Sequence, residues 1–141
     1  MHKPHVVLIA FLLCLSGSVI ADELIAVVVQ RDSPLKSITL ETLKQVYLRK
    51  NLLDVYGNRW IPVNLPLTHE LRNAFSLALF KKRPEDMEGF WNEQYFQGIA
   101  PPDVLASEEA VLRFIEITPG AIGYLRKQAI DKRVKVLITV S

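Results

Sequence analysis

Apolar positions along the chain fall into two kinds of block. Leu24–Val29 is an unbroken run rich in β-branched residues and reads as a buried strand, and Val134–Val140, also rich in β-branched residues, reads as the final strand. A third run, Ala121–Leu125, follows Thr118-Pro119-Gly120. Pro119 cannot continue the helical pattern of Ser107–Ile117, and Gly120 can take a positive φ, so this stretch predicts helix, sharp turn, buried strand. Gly123 punctuates the run at a point where another backbone or a ligand could come close. Trp60–Pro66 is also apolar, but its two prolines confine a strand there to an edge or to a short length.

The other blocks have helical spacing. Leu40, Leu43, Val46 and Tyr47 predict a helix capped by Ser37 or Thr39 and ending near Leu48. Thr68 is a candidate cap for the next helix, whose stripe is Leu71, Ala74, Phe75, Ala78 and Leu79. Pro84 opens another helix, with Met87, Phe90, Trp91 and Tyr95 expected on its buried face. Val111, Phe114 and Ile115 mark the last one. Tyr56-Gly57-Asn58-Arg59 is a turn, and Gln97–Pro102 reads as a loop. Strands and helices are mixed, as in α/β layer folds, and the first and last strands are expected as neighbours in one sheet.

The amino terminus changes the composition that matters. Met1–Ala21 has Lys3, an apolar run from Val6 to Leu15 and small residues up to Ala21, the pattern of a cleavable secretory signal. That run is shorter than the roughly 20 residues a membrane span needs. The expectation is a periplasmic protein whose single domain is residues 22–141. Lys3 leaves with the signal, so the 17 basic groups of the whole chain become 16 against 15 acidic ones, which is no nucleic-acid footprint. Cys14, His2 and His5 leave too, and His69 is the histidine that remains. Neither thiol chemistry nor a histidine-rich metal site is then expected. There is no Gly-x-Ser-x-Gly and no Gly-rich phosphate loop, so no enzyme, no catalytic residue and no cofactor is expected.

Several words in the chain occur together in a recognisable order: "LETLKQVYLRK", a Trp, "IPVNLP", "LRNAF", "FW", "QGIAPP" and "TPGAIGY". In that order they resemble the phosphate-type periplasmic solute-binding proteins that serve ABC transporters, where the first stretch reads as a helix, then "FLGK", then "W", then "IPV". The resemblance implies a single lobe of a type 2 periplasmic-binding-protein-like fold, a small mixed sheet flanked by helices. It also implies phosphate or a related small oxyanion as ligand and an ABC permease as partner. The chain is too short for both lobes of such a protein.

The family's anion loop reads roughly Arg-x-Asp-Gly-Ser-Gly-Thr ahead of a helix, and its counterpart here is Asn64–Glu70. Asn64 stands where the arginine would be and Pro66 where the aspartate would be; the glycines are gone, Thr68 keeps a hydroxyl, and Glu70 adds a negative charge. What remains is a helix N-terminus, which favours anions through its free N–H groups. Asn64, Thr68, His69 and Arg72 are therefore the ligand candidates, together with Ser33 in the loop after the first strand. An ordinary cap and solvated polar residues explain the same positions without a ligand. Arg49 and Lys50 suit a helix C-terminus and could also approach an anion. Trp60, Phe90, Trp91, Tyr95 and Phe96 are either core or a carbohydrate platform. The competing functional class is an interaction or regulatory module of the cell envelope that has lost ligand binding, or a homodimer that rebuilds a two-lobe cleft.

Overall fold

The computed structural model describes residues 2–5 and 24–141; the expected signal segment lies almost wholly outside them. Five strands, β1 (Ile25–Gln30), β2 (Ile61–Asn64), β3 (Asp103–Val104), β4 (Ala121–Arg126) and β5 (Val134–Val140), form one mixed sheet in the order β3-β2-β4-β1-β5. Four helices accompany it: α1 (Leu40–Tyr47), α2 (Glu70–Phe80), α3 (Glu88–Phe96) and α4 (Glu108–Ile117). The first and last strands are neighbours, as expected, and β1 runs antiparallel to both β4 and β5. The register slips by one residue opposite Val27/Val28, because Val27 faces Ile138 and Val28 faces Val136. That bulge is why burial along β5 does not alternate strictly.

β2 is short, as its prolines require, yet it lies inside the sheet. Ile61 and Pro62 pair with β4, whereas β3 begins opposite Val63. Ile61 N–H bonds toward β4 and Asn64 C=O toward Leu105, so alternate residues serve opposite neighbours. Pro62 therefore lacks its N–H on the side where β3 has not begun, and no ladder bond is lost.

Gly123 and Tyr124 show how the layers are built, since successive residues of a strand face opposite ways. A Cβ on Gly123 would lie 2.8 Å from Val111 and 3.2 Å from Ile115, so α4 packs against a strand stripped of its side chain there. Tyr124 faces the other layer, stacking on Phe75 of α2 at 3.8 Å, while Tyr47 of α1 meets Phe75 edge-on at 4.9 Å. Gly120 is needed for a different reason. Its φ is +84°, and a Cβ would lie 2.1 Å from the Arg59 carbonyl oxygen.

Local signals decide most helix ends. Thr39 caps α1 by accepting from Thr42 N–H, and Ser107 caps α4 by accepting from Ala110 N–H. Two expectations are corrected. Thr68 does not cap α2; His69 does, its Nδ1 accepting from Leu71 N–H at 3.1 Å. The Pro84 segment is a 3-10 turn, Pro84–Met87, followed by α3, and α3 has no buried face. Met87 is buried in the turn, Phe90 and Trp91 are half-buried, and Tyr95 and Phe96 are 73% and 88% exposed. Aromatic spacing suggested a core stripe there, but no further layer lies over that side of the helix among the described residues.

Candidate functional site

The sequence-derived candidates divide between the two ends of the sheet. β2 leads into α2 at its C-terminal end, where Asn64, Thr68, His69 and Arg72 lie. Ser33 follows β1, which is antiparallel to β4, and it lines a cleft of about 280 Å³ with Trp60, Ile61 and Gly120, at the end where β2 begins. Ser33 is held within its own turn: its hydroxyl accepts from Leu35 N–H, and its carbonyl accepts from the Lys135 ammonium. It is not part of the group at the β2–α2 junction.

That junction is densely hydrogen-bonded. Asn64 is buried, and its Oδ1 accepts from the Tyr124 hydroxyl at 2.9 Å. The same hydroxyl accepts from Leu65 N–H at 3.2 Å. Tyr47 donates from beneath to the carbonyl of Val63 at 2.9 Å. Burial raises both phenols well above the ordinary tyrosine range, so both are neutral donors and acceptors. Asn64 thus locks the C-terminal end of β2, and its amide stands beside the core where the family pattern would place a guanidinium.

The guanidinium comes from another element. Arg72 lies one turn into α2, is half-buried, and donates from Nη1 to the Leu65 carbonyl at 2.8 Å. It shares with Asn64 the wall of a gap of about 20 Å³, room for about one water. Burial pulls its affinity for the proton down, while the hydroxyls of Tyr124 and Tyr47 and the Glu85 carboxylate act the other way; arginine stays charged in either case. No carboxylate lies within ion-pair distance of Arg72 among the described residues. Glu70, the negative charge at the helix start, faces Arg126 at 3.6 Å.

The helix N-terminus is less open than expected. Leu71 N–H is held by His69, and Arg72 and Asn73 N–H both reach the His69 carbonyl. Thr68 is exposed beside this turn. The structure therefore brings Asn64 and Arg72 together, with His69 and Thr68 at the adjoining helix start. Most of the first peptide N–H groups of α2 are thus held within the turn itself.

No protein-family model matches the chain, and no curated protein matches it. Solved structures do. A candidate phosphate ABC transporter substrate-binding protein with bound phosphate, from Clostridium perfringens, aligns over 82% of this chain and 45% of its own length, with TM-score 0.66 and 18% identity. An ABC-type phosphate transport receptor from Vibrio cholerae aligns over 82% and 46%, with TM-score 0.66 and 17% identity. PstS from Borrelia burgdorferi aligns over 82% and 47%, with TM-score 0.60 and 17% identity. The fold is that of one lobe of a phosphate-type solute-binding protein. The chain spans less than half the length of the solute-binding proteins it matches. At this identity the likeness carries the fold, and the chemistry has to be read from the residues.

Proposed function

We propose that the chain is an exported solute-binding-like domain. It takes phosphate or a related small oxyanion at the β2–α2 junction, in the service of an ABC permease or of sensing. The observation that carries this reading is Arg72, a half-buried cation that donates to a strand-end carbonyl and, among the described residues, faces no carboxylate at ion-pair distance. A guanidinium has five donors, and an oxyanion suits those left over. The Thr68 hydroxyl and the positive end of α2 lie alongside and favour the same charge. The fold likeness to phosphate receptors supports the ligand class.

Isothermal calorimetry with phosphate and with sulfate tests this. The expected outcome is saturable binding of one of them by the full chain, weakened about tenfold or more in Arg72→Gln through loss of a charge-assisted contact. No heat from either anion at millimolar concentration overturns it.

A second reading, an interaction module of the cell envelope that has lost ligand binding, is favoured by Tyr95 and Phe96, whose rings stand mostly in solvent on α3. A chain that binds neither anion yet is retained from envelope extracts through α3, and released by Phe96→Ser, meets that reading.

A further inference from the structure

We propose a second recognition site where β2 begins, in a cleft distinct from the one that Ser33 lines: a binding site for small organic carboxylates that is separate from the β2–α2 junction. The cleft has a volume of about 220 Å³ and is walled by Arg49, Arg59, Trp60, Pro62, Pro101 and Asp103. Its size suits a small molecule with an apolar body, and the prolines and Trp60 supply apolar wall.

Three independent features point to a ligand with acceptor oxygens. Two buried side-chain donors, Arg49 Nε and the indole Nε1 of Trp60, a side chain 4% exposed, have no hydrogen-bond partner among the described residues, and both belong to residues of this cleft. Buried donors are nearly always satisfied, so two orphans on one cleft are a signal. Next, neither Arg49 nor Arg59 has a carboxylate at ion-pair distance among the described residues. Lastly, Arg49 is strained. It follows the C-cap of α1 with φ +61°, donating to the Val46 carbonyl while Lys50 donates to that of Gln45. Glycine is the unstrained residue at such a helix end. An arginine there puts a guanidinium at the cleft at a conformational cost, and strain of this kind concentrates at binding sites.

The charge pattern narrows the class. A carboxylate matches the guanidinium fork in a bidentate pair. Asp103 also lines the cleft, so the field is not uniformly positive. A ligand with one carboxylate and a neutral or cationic far end places its single negative charge on the guanidinium groups and no second one beside Asp103, whereas a compact dianion such as phosphate brings both.

The protein has two tryptophans, so its indole N–H groups give two NMR cross-peaks, with Trp91 as internal reference. Isobutyrate and L-valine, added to the full chain, are expected to move the Trp60 peak saturably and leave Trp91 in place, while inorganic phosphate leaves Trp60 unmoved. Arg49→Gly removes the guanidinium and restores the residue that its φ prefers. It is expected to fold with an unchanged or higher Tm and to weaken the Trp60 response about tenfold or more. Arg72→Gln is expected to keep the Trp60 response, so failure at one site is distinguishable from failure at the other. The proposal is overturned if neither carboxylate moves the Trp60 peak, if Arg49→Gly responds like the unaltered chain, or if phosphate moves that peak more strongly than the carboxylates do.

Discussion

At the end of β2 that runs into α2, polar groups are turned inward on one another. Asn64, Tyr124 and Leu65 form a closed set of hydrogen bonds over the stacked ring of Phe75. At the end where β2 begins, Arg49 Nε and Trp60 Nε1 are buried without hydrogen-bond partners among the described residues, and Arg49 sits in a conformation that glycine prefers. The first end resembles a core that happens to reach the surface. The second resembles a surface in which core-like burial has been left electrostatically incomplete. A fold shared with phosphate receptors therefore does not fix where this chain spends its polar groups.

Three substitutions test that contrast. Phe75→Ala removes the ring packed between Tyr47 and Tyr124, and a loss of about 3–5 kcal/mol is expected by chemical denaturation. A loss under about 1 kcal/mol would show that the aromatic cluster does not hold the closed end. Tyr124→Phe keeps the ring but leaves Asn64 Oδ1 and Leu65 N–H unsatisfied, at an expected cost of about 1–3 kcal/mol. This variant also has a pH signature. Burial raises the folded-state pKa of Tyr124 above its ordinary value. In the unfolded chain the phenol ionises near pH 10, so its stabilising contribution is full below about pH 10 and is lost as pH rises beyond it. Denaturation series from pH 8 to 11 should fall less steeply for Tyr124→Phe than for the unaltered chain. Parallel slopes would mean that this hydroxyl is not buried in solution. Arg49→Gly should have the smallest effect and the opposite sign, a gain of about 1 kcal/mol as the strain at φ +61° is relieved. Destabilisation instead would mean that the guanidinium holds the fold, and the two ends would then be alike.

Much of the architecture was readable in advance because it depends on local chemistry. β5 spans the predicted residues, and the helix, turn and strand around Gly120 follow from the missing N–H of Pro119 and the positive φ of Gly120. β3 was not readable. Two residues carry no period, and Asp103–Val104 is a strand only because β2 lies beside it. The aromatic spacing of α3 misled for a related reason: a periodic stripe reports which side of a helix is apolar, and only the surroundings say whether anything covers that side. At the candidate site, the altered loop from Asn64 to Arg72 was visible as residue types. Two things were not: Asn64 is held by Tyr124, 60 positions away in sequence, and Arg72 reaches back to Leu65. The donors at Arg49 and Trp60 left no signal, since an orphan is defined by what fails to surround it.

The sequence by itself determined the class of fold, the turns and most helix ends, because steric limits on φ and hydrogen bonding within a few residues decide those. The tertiary structure alone decided the full strand order beyond the pairing of the first and last strands, that Ser33 stands at the opposite end of the sheet from Arg72, and which polar groups are spent inside the fold. Pairing partners far apart in sequence compete for each donor and acceptor, and that competition is settled only when the layers close.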